Sequence, residues 1–343
     1  MAKKTYLGID IGQKALKLAL VSGGTVLKTA MAEVPDNLVR DGRVVSIETM
    51  AELIRAAMKD HNIRCKDAAV IMSGSHVFVK TAVMPLMTPE QLAYNLPFEF
   101  RDYTTEDNKK YIYDYAMISR PGEAVQSDTA DEPSTDVMEL LAVAVPEEWV
   151  EDLRLMLRKA GLRLAKAAPA IYSYIPLIRA RRRARNEEDR PGRETCILNI
   201  GFHAVNMNIY EADRHKVSRI LDIGLQNAAD AVAREYNVDA HLAYTYLTTN
   251  YDDCQMKAGV QAVFSSIAVE LMRAVNFYRF SNPDSSLEDV YICGGGSFIR
   301  PLLDQIRETV DLNIYSAAEL LPGNDLGDDA ALYVPAVGIA LDD

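Results

Sequence analysis

The sequence predicts a two-domain α/β fold carrying a small α+β insert, and three observations lead there. Residues 5–33 and 195–224 share one pattern of strand, glycine turn, strand, turn, strand. This is a weak internal repeat, spaced widely enough for each copy to open its own domain. Three glycine-centred turns, at Gly8-Ile9-Asp10-Ile11-Gly12, Asn199-Ile200-Gly201 and Gly294-Gly295-Gly296, each follow a strand-like run. Between the repeats, residues 80–162 read as helix, two strands, helix. A chain of 343 residues also exceeds what a single core usually holds.

The elements follow from period and punctuation. Leu7 to Ile11, Ala15 to Val21 and Val26 to Val34 alternate as strands, with turns at Gly12 and Gly23-Gly24. Met50, Leu53, Ile54 and Ala57 fall at i, i+3, i+4 and i+7, the apolar face of a helix. Two strands then flank a Ser73-Gly74-Ser75 turn. A helix runs from Pro89, with Pro97 expected to kink or end it. Two alternating strands, 110–119 and 137–145, bracket an acidic Pro/Gly/Ser-rich stretch, 120–136, expected to be mobile. Trp149, Leu153, Met156 and Ala160 line one face of the next helix, with Gly161 closing it.

The segment 179–194 holds five arginines within seven residues. It reads as a nucleic-acid or acidic-lipid patch, or as a solvated helix end neutralised by Glu187, Glu188 and Asp189; the second reading is adopted. Beyond the second meander come helical stretches at 225–238, 240–250 and 260–280, strand Val290 to Cys293, then Gly294-Gly295-Gly296-Ser297 and a further helix.

Bulk properties narrow the function. The net charge of −12 argues against a general nucleic-acid binder, which needs cationic surface to displace counterions. The four cysteines, Cys65, Cys196, Cys254 and Cys293, are scattered without CxxC spacing, so neither a zinc site nor a disulfide framework is expected. No unbroken apolar run reaches spanning length, and the N-terminus moves from Lys3-Lys4 straight into a strand, so a cytosolic protein is expected.

The glycine turns carry the candidate chemistry. A nucleotide phosphate needs backbone N–H groups at close range, which residues without Cβ permit. Two facing hairpins can clasp a phosphate chain, a carboxylate such as Asp10 can hold hydrated Mg²⁺, and a strand–GGG–helix turn can meet adenosine. Each turn alone is more simply a tight turn; the ordered set is the stronger signal.

On these residues the chain resembles the actin-like ATPase superfamily (ribonuclease H-like fold) and, within its FtsA/PilM branch, the type IV pilus assembly protein PilM family. Gly8 to Gly12 resembles the first phosphate loop, and Gly294-Gly295-Gly296-Ser297 with Pro301 the adenosine loop. Residues 39–58 and the strand–turn–strand at 72–85 resemble PilM segments. The stretch 80–162 resembles the subdomain 1C that PilM and FtsA share. FtsA usually ends in an amphipathic membrane-targeting helix, whereas this sequence closes on Asp343 after a small-residue run, which favours PilM. The resemblance implies actin-like domain 1 over 1–79, 163–192 and 331–343, the insert over 80–162, and domain 2 over 193–330. It implies ATP and Mg²⁺ as ligands, with Asp10, Gly12, Gln13, Lys14, Asn199, Gly201, Gly294, Gly295, Gly296 and Ser297 at the nucleotide and Asp10 at the metal.

Departures from the pattern matter as much. Gln13, Lys14 and Ala15 replace small hydroxyl residues; Lys14 either pairs with a phosphate or projects outward, and the sequence leaves both open. Asn199 stands where the family has an aspartate that orders metal and water, and Phe202, His203 and Ala204 replace Ser/Thr residues. Asparagine is neutral, a poor hard-cation ligand and no general base. A turn histidine such as His203 is more simply structural than a replacement base. Tyr244 and Thr248 fall near a glutamate and a lysine that contact the nucleoside in the family. The expectation is a degenerate ATP site with no assigned catalytic residue.

The implied role is a cytoplasmic assembly protein at the inner face of the membrane. It would capture the cytoplasmic tail of PilN between subdomains 1A and 1C, near Ser73-Gly74-Ser75. It would then join other pilus inner-membrane and motor proteins, reaching the membrane only through partners. An active Mg²⁺-dependent ATPase, an FtsA-like filament former and, more distantly, a sugar kinase are the rival readings.

Overall fold

The computed structural model describes residues 4–104, 109–118, 136–186, 193–323 and 326–341. The acidic stretch up to residue 135, and the three carboxylates offered as neutralising the arginines, lie outside the described residues.

The first meander forms as the alternation requires. Strands β1 (Thr5–Ile11), β2 (Ala15–Ser22) and β3 (Thr25–Glu33) pair antiparallel in sequence. Leu16, Leu18 and Leu20 enter one core while Ala19 and Val21 enter another on the opposite face. A short ribbon, β4 (Val39–Arg40) and β5 (Arg43–Val44), leads to α1 (Ile47–Asp60), capped by Ser46 accepting from the Thr49 amide. Then come β6 (Asp67–Met72), β7 (Phe78–Pro85) and α2 (Pro89–Glu99), which starts on a Thr88/Gln91 capping box. Pro97 sits within the last turn of α2, and the helix ends two residues beyond it.

After β8 (Tyr111–Met117) and β9 (Val137–Pro146), α3 (Glu147–Lys159) ends before Gly161, whose φ of +83° is the left-handed exit expected of it. β10 (Arg163–Pro169) and α4 (Ala170–Ala184) follow. The second meander is β11 (Glu194–Ile200), β12 (Val205–Glu211) and β13 (Arg214–Leu221). The remaining elements are α5 (Leu225–Tyr236), α6 (Ala240–Thr249), α7 (Ala258–Ser281), β14 (Asp289–Cys293), α8 (Arg300–Thr309), β15 (Asn313–Ser316) and α9 (Val334–Ala340).

The sequence repeat is a structural one. The two five-stranded sheets run β3-β2-β1-β6-β10 and β13-β12-β11-β14-β15, the same order of antiparallel meander followed by parallel strands. β7, β9 and β8 make a separate three-stranded sheet with its own core of Leu92, Leu96, Phe100 and Leu140. Although α3 falls within the 80–162 stretch, its Met156 and Leu157 pack into the first core beside α1.

Helices α4 and α9 fill the space between the large sheets. Tyr174, Leu177, Val334 and Val337 join Ala19 and Val21 of one sheet to Ile197 and Cys293 of the other. By length and composition α7 suits a membrane span, but Val260, Phe264, Ile267, Leu271 and Val275 are buried in the second core. A stripe at helical spacing among core contacts is ordinary globular packing.

Candidate functional site

Between the two large sheets lies a cleft of about 630 Å³, within the range of small-molecule sites. The β1–β2 turn contributes Asp10, Gly12, Gln13 and Lys14, the β11–β12 turn Asn199 and Gly201, and the third turn Gly294 and Gly295. Both hairpins close alike: the Gly12 amide donates to the Ala15 carbonyl and the Gly201 amide to that of Ala204, each at 3.0 Å.

Eight of the ten residues singled out from the sequence thus converge, while Gly296 and Ser297 do not line the cleft. A Cβ on Gly296 would lie 2.2 Å from Ile200 Cγ2, so that glycine serves packing beneath the turn. Ser297 Oγ donates to the Gly294 carbonyl at 2.6 Å and closes the turn upon itself. Gly294 is required twice over: its φ is +83°, and a Cβ there would stand 2.3 Å from Asn199 Oδ1. A 3₁₀ turn, Gly295–Phe298, separates this loop from α8, so the long helix does not begin at the glycines.

Lys17 is the site residue that the motif reading missed. Its ammonium bonds Asp10 Oδ2 at 3.0 Å, with both side chains about one-sixth exposed. The sequence did hold the signal. A hairpin closing at Gly12 pairs Ile11 with Leu16 and therefore Asp10 with Lys17. A lysine on a face shared with Ala15, Ala19 and Val21 is otherwise out of place.

Lys14 turns inward and over the opposite wall. Its Nζ bonds Asp36 Oδ1 at 2.5 Å and stands 4.9 Å from the centre of the Phe202 ring. Asn199 donates to the Tyr174 hydroxyl at 3.4 Å, and burial drives that phenol's pKa far up, so Tyr174 stays neutral. Tyr244 and Thr248 also line the cleft. His203 is exposed and lines an outer cavity instead, so it is not poised as a base in the cleft.

These residues fit a nucleotide. Glycine backbone approaches from three turns, Lys14 and Lys17 supply cations, and Tyr244 and Phe298 offer ring faces. They suit Mg²⁺ less well. Of the carboxylates lining the cleft, Asp10 is already paired with Lys17 and Glu33 lies beside His241, and the facing wall presents the neutral Asn199. No group of three His, Cys, Asp or Glu is assembled for a metal among the described residues. Mg²⁺ takes one or two carboxylates plus waters and phosphate oxygens, so Asp10 is the residue that would hold it.

Asn208 and Ser218 also line the cleft: Ser218 donates to Asn208 Oδ1 at 2.6 Å and lies 2.7 Å from His215 Nε2. With the serine proton on Asn208, the imidazole must donate from Nε2. Burial pushes the pKa of His215 from 6.5 down to about 4. The unfolded chain therefore takes up this proton near pH 6.5 while the native state refuses it until about pH 4. Stability present above pH 6.5 should decline across that window by about 3 kcal/mol. His215→Gln should flatten that slope in urea titrations between pH 7 and 4; a parental slope would assign the acid sensitivity elsewhere.

A second concavity, about 360 Å³, separates β10 from the three-stranded sheet and is walled by Asp114, Ala116, Val143, Ala167 and Ala168. It shares Tyr115, Ala116, Leu141 and Tyr172 with an adjoining cavity of about 280 Å³. The Ser73-Gly74-Ser75 turn does not line it. Ser75 N–H donates to Asp41 Oδ1 at 3.2 Å, and Gly42 packs against the Ser73 carbonyl, which stitches the turn to the β4–β5 ribbon.

The sequence profile of the family described as type IV pilus assembly protein PilM matches residues 8–343. A solved PilM–PilN type IV pilus biogenesis complex is similar over 98% of this chain and 97% of that one, at 23% identity and a TM-score of 0.78. The ethanolamine utilization protein EutJ from Carboxydothermus hydrogenoformans aligns over 99% and 90% of the two chains, at 14% identity and a TM-score of 0.58. MreB 5 of Spiroplasma citri, solved with AMPPNP bound, aligns over 98% and 94%, at 11% identity and a TM-score of 0.51. The fold is the actin-like ATPase fold.

Proposed function

The chain belongs to the type IV pilus assembly protein PilM family, and from that premise we propose that it is a pilus assembly protein holding the cytoplasmic tail of a PilN-type membrane protein. Its nucleotide cleft binds ATP weakly, if at all, and does not turn it over efficiently. On this reading it works at the cytoplasmic face of the inner membrane, reached through its partner, and links other pilus inner-membrane and motor proteins.

The observation that carries the reading is the groove between β10 and β8. Both are terminal strands of their sheets, and both line it. Strand edges present backbone donors and acceptors, so an extended segment can add to them while side chains enter the flanking pockets. A disordered tail loses chain entropy on binding, and walls already formed by two sheets lessen the total cost. We further propose that residues 1–79, 163–192 and 331–343 form domain 1, 80–162 the insert and 193–330 domain 2. The separate cores around Phe100 and around Phe264 support that division.

The cleft supports the non-hydrolysing part. Phosphoryl transfer depends on positioned charge, and losing one positioned polar group typically costs about 3 kcal/mol of transition-state stabilisation. Asn199 takes the place of the carboxylate, and Asp10 is engaged by Lys17. With near-stoichiometric ATP and Mg²⁺, phosphate release from the purified protein should equal that of its Asp10→Ala variant. Release that depends on Asp10 would instead make the protein a working ATPase.

A further inference from the structure

Two cavities meet at one partition. The cleft and an outer cavity of about 420 Å³, between residues 36–41 and the start of α5, share Gln13, Lys14 and Phe202 in their walls. Lys14 belongs to the β1–β2 turn, whereas Phe202 follows β11 and Tyr244 lies on α6, across the cleft. The lysine ammonium stands 4.9 Å from the Phe202 ring centre and 5.5 Å from that of Tyr244. The two rings meet edge to face at 5.2 Å. Beside this contact, His241 Nδ1 of α6 approaches Glu33 Oε1 at 3.6 Å and Asp36 Oδ2 at 3.8 Å, and Asp36 also holds Lys14. Both contacts therefore cross from one half of the molecule to the other.

We propose that Lys14 is a latch: seated on Phe202 and Tyr244, it holds the two halves together and closes the cleft toward the outer cavity. A polyphosphate entering from that side must first draw Lys14 off the rings. The ligand in this inference rests on the nucleotide reading given above; the closure itself does not.

The physical argument is one of competition. A cation largely withdrawn from water gains from two ring faces and from Asp36, whose charge is half solvated and so screened. A triphosphate offers that cation several charges at once and stronger hydrogen bonds. Its arrival shifts the population toward the unlatched state by the difference in affinity for the two states. Without the ring contact, Phe202 no longer has a cation to pin it across the cleft.

Lys14→Met keeps the side-chain stem and removes the charge, and Phe202→Ser removes the ring. Amide hydrogen exchange in the nucleotide-free protein reads the latch directly. In both variants residues 36–41 and α6 should exchange about tenfold faster than in the parent, the rest of the chain being unchanged. Unaltered exchange overturns the latch. Stopped-flow mixing with ATP then tests its ligand: Lys14→Met should associate about tenfold faster and, lacking the charge that meets the phosphates, should also dissociate faster than the parent. Slower association with parental exchange would make Lys14 a phosphate ligand that closes nothing and overturn the proposal. Should ATP at millimolar concentration bind none of the three proteins, the nucleotide reading fails while the exchange result still decides the latch.

Discussion

Gly8→Ala is expected to destabilise the protein by about 3 kcal/mol, the upper part of the range for overpacking a well-filled core. Gly8 opens the glycine motif, yet it does not line the cleft. A Cβ at this position would lie 1.8 Å from the Ala336 carbonyl oxygen and 3.0 Å from Ala340 Cβ, both on α9. A backbone oxygen inside a helix cannot swing aside as a side chain can. The helix cannot retreat either, because on its other side a Cβ on Gly338 would lie 1.9 Å from the Ser173 carbonyl of α4. Strand β1, α9 and α4 therefore stack backbone against backbone, and one methyl group displaces three elements. Gly24→Ala is the control: nothing lies within 4 Å of its Cβ, so only the left-handed backbone strain at φ +79° remains, about 1 kcal/mol. Urea midpoints should fall far more for Gly8→Ala than for Gly24→Ala. Equal shifts would show that α9 repacks freely and that the close approach is not a constraint.

That result bears on how the motif is read. Of the two glycines in Gly8-Ile9-Asp10-Ile11-Gly12, one is needed for helix packing and the other for the turn beside Lys17. Period-two alternation and turn glycines made both meanders legible, because local chemistry sets them. The three glycine turns bring Asp10, Asn199 and Gly294 to the wall of one cleft. Lys17 was legible only through the hairpin register, which motif matching passes over. The inward turn of Lys14 was not legible at all, since it depends on Phe202 and Tyr244 from the far half of the chain. Distance along the sequence hid the residues that wall the groove for the same reason. Its walls, β8 and β10, belong to different sheets, and nothing local in either strand announces the other. The Ser73-Gly74-Ser75 turn is expected beside the tail at the 1A/1C junction, but its Ser75 is bonded to Asp41.

Ala167→Trp is expected to abolish capture of the proposed tail, weakening binding at least about 100-fold, the loss typical of a blocked central contact. Ala167 is exposed on the terminal strand β10 and faces the groove opposite β8. A strand added there sends alternate side chains into the groove, and an indole at this position fills the space those side chains need. Because the side chain points away from every core, the thermal midpoint should stay within the scatter of ordinary surface substitutions. That separates a blocked groove from an unfolded protein. Ser75→Ala provides the contrast: it removes a hydroxyl bonded to Asp41 outside the groove and should bind like the parent. A synthetic peptide of the partner's cytoplasmic segment, titrated by fluorescence anisotropy, reads all three proteins. Parental affinity in Ala167→Trp with loss in Ser75→Ala would move the tail to the ribbon beside Asp41, and the strand-addition reading would fall with it.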